Sequence, residues 1–435
     1  MYFNEFLSVL RIAGHIYSVH HLINADEHLP GHLSMPLKLA ERVARMKPSA
    51  SIAAKNKVTE LLAAGRQVID FTIGEPDLDT PPHVIEAAFT AMRGGDTHYT
   101  QTVGTLALRE AICRKLENDS GLIYSPGEVV VGSGAKQLIF EALAATLNKG
   151  DEVIIPAPYW VSYPDMVAVN EGTPVIVPCG ENTGFKLTPA ALEVALTPKT
   201  RWLILNSPSN PTGAVYSREE LAALAEVLAR HPEVWLLTDE IYEHLVYDGV
   251  KTVSPVQIDP ALKPRTLIVN GLSKAHAMTG WRIGYAVGPK EAVAAITKLL
   301  GQSTSCASSI SQAAAVAALD GDQSHVREAA ALYGRRRGRM IALLDGTPGL
   351  RITAPAGAFY LYPSVAGLIG RTTPLGQTLK SDVDVTHYLL DHANVAVMDG
   401  SSYGLSPYLR LSFATSMSVI DVGCVQIRRA CEALF

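Results

Sequence analysis

In "NGLSKAHAMTGWRIGY", residues 270–285, one lysine sits among small and apolar neighbours, and Arg282 follows Lys274 by eight positions. A solvated surface helix would surround its lysine with further charge. A lysine without that company can keep a neutral amine, able to attack a carbonyl or carry a proton. Arg282 adds a permanent cation of the kind that holds an anionic group. Other stretches also carry side chains suited to chemistry. "GSGAKQ" places Gly134, Ala135 and Lys136 at what reads as the start of a helix, where free backbone N–H groups can hold a phosphate. "PAPYWVSYP" carries Trp160, an aromatic that could stack on a flat ligand. "NSPSNPTG" carries Asn210, and "TDEIYEHL" carries Asp239 and Tyr242, which would share one face if a helix began there. Taken singly, each has an ordinary explanation: a glycine turn, a core aromatic, a polar turn, a helix cap, two loop cations.

The elements that must position these residues give them a common place. Seven short apolar runs lie between residues 128 and 287: EVVVG (128–132), EVIIP (152–156), PVIVP (174–178), WLILN (202–206), VWLLT (234–238), TLIVN (266–270) and RIGYAV (282–287). They are continuous rather than alternating, as in a mostly parallel sheet covered on both faces. Helical patterns separate them. "KQLIFEALAATL" follows the first run, "TPAALEVAL" has Thr188 as a cap before Pro189, and "SREELAALAEVLA" opens on a capping box from Ser217 to Glu220. This alternation predicts a doubly wound α/β domain built on a mostly parallel seven-stranded sheet with helices on both faces. The sixth and seventh runs are separated by only about a dozen residues, marginal for a crossover, which points to an antiparallel seventh strand.

After residue 320 the pattern changes. "QSHVREAAALYGRRRGRMIALLD" reads as one long helix, and shorter strands follow in "AFYLYP", "VAVMDG" and "YLRLSFA". The expected organisation is a large domain over 83–322 and a smaller α+β domain made of 35–82 and 323–435. Residues 1–34, rich in His and aromatics, read as an N-terminal appendage of unknown role, without the series of regions that marks a secretory signal.

Composition narrows the function classes. The chain has 435 residues, 48% hydrophobic and 18% charged, enough to bury a large core. Its formal charge of -5, from 37 basic against 42 acidic residues and with no basic stripe, argues against a nucleic-acid binder. No apolar run approaches the roughly 18 residues that would span a bilayer. Five scattered cysteines without metal spacing read as reduced thiols in a cytoplasmic protein, and no metal site is expected.

In open parallel sheets, ligands bind beyond the carboxyl ends of the strands. The stretches singled out above follow predicted strands. A phosphate cradle, an aromatic plate, an Asn, an Asp and Tyr pair, a Lys and an Arg would therefore share one edge. Pyridoxal phosphate has a phosphate, a flat ring, a phenolic oxygen, a ring nitrogen and an aldehyde, so each of its groups would meet a partner.

From about Lys38 onward the chain also resembles the fold-type I pyridoxal-phosphate enzymes, specifically class I aminotransferases. "SKAHAMTGWRIGY" looks like their lysine signature, and "IGEPDLDTP", "HYTQTVG", "SGAKQ", "PAPYWVSYP", "NSPSNPTGAVY", "DEIYEHL" and "LRLSFATS" match further motifs in the same order. "GAFYLYPSVAGLIGRTTPLG" is similar to a segment of the bacterial aspartate aminotransferases whose subgroup includes prephenate-utilising members.

The resemblance implies roles. Lys274 would hold the cofactor aldehyde and then shuttle the proton. Asp239 would pair with the ring nitrogen, and Tyr242 and Asn210 with the phenolic oxygen. Trp160 would stack on the ring. Arg282, Ser273 and the backbone of Gly134 and Ala135 would bind the phosphate, with Tyr99 reaching it from the other subunit of a homodimer. Arg410 would take the substrate α-carboxylate in a bidentate pair, and Gly74 would let the backbone approach it. A second carboxylate needs another cation. "GQSTSCASS" offers no arginine, so Lys136 is the candidate, with Lys47 and Ser51 of "KPSASIA" completing the pocket. Two departures stand out: His276 where the family often has tyrosine, and Cys306-Ala307 where it commonly has Asn-Pro.

The expected activity is ping-pong amino transfer between an acidic amino acid, aspartate or glutamate, and a 2-oxo acid such as 2-oxoglutarate or oxaloacetate. Aromatic, prephenate or neutral substrates remain open. So does a β-lyase of the same fold, because Lys274, Asp239 and Tyr242 would serve both reactions.

Overall fold

Alternate residues of each apolar run face opposite helix layers, which is why the runs show no polar alternation. The computed structural model describes residues 37–46 and 50–435, and residues 41–435 form one unit. The proposed appendage at 1–34 lies outside the described residues, as do Lys47 and the side chain of Ser51. All seven expected strands form: β1 (Val129–Gly132), β2 (Glu152–Ala157), β3 (Thr173–Pro178), β4 (Thr200–Asn206), β5 (Trp235–Asp239), β6 (Thr266–Gly271) and β7 (Gly284–Val287). They make one sheet in the order β1-β7-β6-β5-β4-β2-β3. Val130, Ile204, Leu237 and Val269 pack on one face against helices Ala135–Thr146 and Lys290–Ser303. Val131 and Ile268 pack on the other against helices Leu106–Ser120 and Ser309–Asp320, and Leu203, Leu205 and Leu236 against helix Arg218–Ala229.

The expected caps form. Thr188 accepts a bond from the Ala191 amide at 3.2 Å, and Ser217 and Glu220 close a reciprocal capping box at the start of Arg218–Ala229. The long helix is Ser324–Leu344. In the remaining part, Tyr360–Leu361 and Met398–Asp399 flank Leu409–Ser412, all antiparallel. Residues 35–82 contribute one short strand, Ile69–Asp70, parallel to Val395–Ala396.

Strand direction decides what reaches the edge. β7 is antiparallel to both β1 and β6, with Gly284 opposite Gly132 on one side and Gly271 on the other. It therefore begins where its neighbours end. Arg282, two residues before β7, and Lys274, three after β6, emerge at the same edge of the sheet. β4 and β5 end there in step, with Asn206 beside Asp239.

Behind that edge lies a buried ion pair. Lys115 on Leu106–Ser120 is bonded to Glu243, which also accepts from Asn270 Nδ2 on β6 at 2.6 Å. The link ties the turn after β5 to the end of β6. Burial opposes the charge of Lys115, but Glu243 holds the ammonium above its ordinary value. Removing one partner strands the other charge in the interior. Lys115→Met should lower unfolding free energy by about 3–5 kcal/mol in denaturant titrations, and adding Glu243→Gln should recover most of that loss.

Candidate active site

A cavity of about 740 Å³ opens at the carboxyl edge of the sheet. Its lining includes Gly74, Ala135, Lys136, Trp160, Asn210, Asp239, Tyr242, Ser273, Lys274, Arg282 and Arg410, so these sequence-predicted residues from seven separate stretches do meet. Tyr99 does not line it; its side chain is 88% exposed. Asp239 and Tyr242 share the cavity although no helix begins after β5. A turn over residues 241–244 brings them together instead.

One end of the cavity is built for an anion. Gly134 caps helix Ala135–Thr146 in the left-handed region, φ +92, and a Cβ there would fall 2.6 Å from Arg282 Nη2. A Cβ on Gly284 would fall 2.3 Å from the Ala135 amide nitrogen. These two glycines keep an open cradle between the helix N-terminus, the buried Ser273 and Arg282. The guanidinium is steadied by bonds to the carbonyls of Thr279 at 2.8 Å and Ser133 at 3.2 Å.

At the centre, Lys274 Nζ donates to the Gly74 carbonyl at 2.5 Å. Burial, then the positive charge of Arg410, lowers its pKa to about 8, against the opposing pull of Glu75 and Asp239. Asp239 lies beyond it, almost fully buried. Burial raises its pKa, opposed by hydrogen bonds from the Tyr163 hydroxyl, 2.6 Å from Oδ2, and the Ile241 amide, 3.3 Å from Oδ1. The Asn206 side chain donates to the Asp239 carbonyl and accepts from the Asn210 amide, locking the ends of β4 and β5 together. Tyr242 and Tyr360 share a hydroxyl–hydroxyl bond of 2.9 Å.

Arg410 forms the third corner. It is 2% exposed, in the strand Leu409–Ser412. Its Nη1 donates to Asn210 Oδ1 at 3.1 Å and its Nη2 to the Thr72 carbonyl at 2.6 Å, while the buried Nε has no hydrogen-bond partner among the described residues. The guanidinium lies over the Tyr360 ring, 4.4 Å from its centroid. At the rim, the Lys136 ammonium sits over Trp160, 4.8 Å from the ring centroid. Crowding by protein lowers its pKa, with Arg282 adding to the effect.

The sequence reading passed over Tyr163 and Tyr360. Tyr163 stood in the quoted "PAPYWVSYP", three residues after Trp160, which places both on one side of a helical turn. Tyr360 lay in "AFYLYP", where nothing separates a core tyrosine from one facing a ligand.

The donor set fits pyridoxal phosphate: a cradle for the phosphate, a buried carboxylate for the ring nitrogen, hydroxyl and amide groups for the phenolic oxygen, and an amine of depressed pKa for the aldehyde. A doubly wound sheet with this cavity at its carboxyl edge defines a cofactor-dependent α/β enzyme. Residues 66–427 match the family described as aminotransferase class I and II. The chain is 51% identical over 396 residues, 91% of its length, to the aspartate/prephenate aminotransferase of Cereibacter sphaeroides, of which 99% is covered. It is 48% identical to the aspartate aminotransferase of Rhizobium meliloti (strain 1021), covering 91% of this chain and 96% of the relative. The solved Rhizobium meliloti aspartate aminotransferase superposes with a TM-score of 0.90 at 48% identity, covering 92% of this chain and all of the other. The Thermus thermophilus aspartate aminotransferase, solved with maleate, gives 0.85 at 40% identity, over 91% of this chain and all of the other. The chain therefore belongs to the class I and II aminotransferases, enzymes that use pyridoxal phosphate to move an amino group between an amino acid and a 2-oxo acid.

The depressed Lys274 pKa sets a pH dependence. The amine is the reactive form, and it predominates above about 8 rather than above the ordinary lysine value of 10.5. In cofactor-free full-length protein, the rate at which Lys274 takes up pyridoxal phosphate should rise with pH and level off just above 8. An inflection at the ordinary lysine value would contradict the burial argument.

Proposed function

We propose that this enzyme transfers the amino group of an acidic amino acid, aspartate or glutamate, to 2-oxoglutarate or oxaloacetate. The observation that carries the reading is a pair of separated cations on one cavity. Arg410 is buried at the inner wall, and Lys136 stands at the rim beyond Trp160. Two carboxylates of one substrate need two such partners. The maleate held by the Thermus thermophilus relative is itself a small dicarboxylate, which supports this reading.

The roles follow. Bound pyridoxal phosphate supplies the electron sink that makes the substrate Cα–H acidic. Arg410 binds the α-carboxylate and presents the substrate to Lys274. The Lys274 amine would carry the proton at the substrate carbon, and its depressed pKa leaves a large neutral fraction near pH 8. Asp239 would face the ring nitrogen. Tyr242 and Asn210 would meet the phenolic oxygen, and Trp160 would cover one face of the ring. The Gly134-Ala135 backbone, Ser273 and Arg282 would hold the phosphate, and Gly74 would give the substrate room beside Lys274.

A second reading, prephenate as acceptor, is favoured by the Cereibacter sphaeroides relative, an aspartate/prephenate aminotransferase. Prephenate also carries a carboxylate distant from the reacting carbon, so the same two cations would serve. The enzyme is taken to be a cytoplasmic homodimer. The exposed Tyr99 ring supports the second point, since a partner's phosphate site would give it a role. All five cysteines are free thiols, which supports the first.

Two measurements test this. A charge-assisted hydrogen bond contributes roughly 1.5–3 kcal/mol, so Lys136→Ala should lower kcat/KM for aspartate about ten- to a hundredfold and leave alanine and phenylalanine nearly unchanged. An equal fall for all substrates would assign Lys136 to the cofactor or the fold. Light scattering should give a dimer at micromolar concentration, and a fully active monomer would remove Tyr99 from the site.

A further inference from the structure

Tyr163 touches two of the groups that face the cofactor ring, and neither contact has a role in the account above. It begins the helix Tyr163–Val169 and is 2% exposed. Its hydroxyl donates to Asp239 Oδ2 at 2.6 Å. Its ring meets Trp160 edge to face, with centroids 5.3 Å apart and an interplanar angle of 86°.

We propose that Tyr163 is the positioning residue for the cofactor ring, holding the Asp239 carboxylate ionised and aimed at the ring nitrogen while its ring, packed perpendicular to that of Trp160, sets the Trp160 plane. The inference rests on Asp239 facing that nitrogen.

The reasoning starts from the carboxylate's two oxygens. Oδ1 takes a long 3.3 Å bond from the Ile241 amide, and Oδ2 takes the short one from Tyr163. The ionisable groups facing Asp239 are Tyr163, Tyr242 and Lys274. Lys274 is committed to the aldehyde when cofactor is bound, and Tyr242 is engaged with Tyr360. Tyr163 is thus the side chain left to support the anion. Burial pushes the Asp239 pKa up, and the Tyr163 bond opposes it. A neutral Asp239 could not pair with a protonated ring nitrogen. Removing the donor therefore raises the pKa further, and the partnership is lost as pH falls through that higher value.

Tyr163→Phe keeps the ring against Trp160 and removes only the donor. The full-length protein, freed of cofactor, is titrated with pyridoxal phosphate across the acid-to-neutral range, with quenching of tryptophan fluorescence as the readout. The wild type should lose affinity only at the acid end. The Phe variant should begin to lose it at higher pH, and in that window bind roughly ten- to a hundredfold more weakly. In an Asp239→Asn background the same change should add nothing, because no carboxylate remains to be held. An unchanged pH profile for Tyr163→Phe would overturn the proposal. So would a uniform loss that persists in the Asp239→Asn background, which would make Tyr163 a packing residue. If Asp239→Asn alone leaves both affinity and profile as in the wild type, the reading of Asp239 fails as well. Should the Phe variant not fold, 3-fluorotyrosine placed at 163 keeps the shape and is a stronger donor. It should move the loss of affinity to lower pH, and no movement would also overturn the proposal.

Discussion

Asp239 sits almost fully buried at the end of β5, where the loss of water disfavours its charge, and the surrounding residues are arranged to keep that charge in place. Two hydrogen bonds reach the carboxylate. Lys274 lies close enough to be felt electrostatically, and its own pKa falls chiefly through burial, with Arg410 and Arg282 adding to the effect against Glu75 and Asp239. Burial disfavours both charges, so a lowered lysine pKa beside an ionised carboxylate calls for hydrogen-bond donors on the carboxylate, while cations near the lysine reinforce the effect of burial. The cavity separates them in that way. Arg410 and Arg282 act on the lysine side, and Tyr163 and the Ile241 amide on the aspartate side.

The backbone behind these groups is fixed in layers. Asn206 couples β4 to β5, and the buried Lys115–Glu243–Asn270 link couples the turn after β5 to β6. The strand ends next to Asp239, Tyr242 and Lys274 are therefore tied to one another. The two cations Arg410 and Lys136 have another base. Arg410 lies on a strand of the small antiparallel sheet, and Lys136 on the first turn of a helix whose side chains reach the rim.

Much of this was legible in the sequence because sheet ends are written in small and polar residues. The runs from 128 to 287 predicted all seven strands, and the short connection between the last two predicted the antiparallel one. The turn holding Asp239 and Tyr242 was less legible. An acidic residue at a strand end reads equally well as a helix cap, and only the link from Glu243 to Asn270 shows why the chain turns instead. Tyr163 and Tyr360 were missed because a buried tyrosine leaves the same pattern as any aromatic core residue. The hydroxyl partner that distinguishes it lies 76 positions away in one case and 118 in the other.

The hairpin between β6 and β7 has one more consequence. Lys274 and Arg282 both lie on it, and Ala277 and Arg282 are held in the left-handed region, φ 50 and φ 53, so its path is tightly specified. The Lys274 amine is held by the Gly74 carbonyl and the Arg282 guanidinium by the Thr279 and Ser133 carbonyls, so under the proposed function the hairpin would act as a ruler for its ligand. It would measure the reach from aldehyde to phosphate independently of whatever occupies the rim. On that reading, residues around Lys136 and Trp160 could change, and the range of amino acids drift with them, without altering the length of the molecule that the ruler accepts.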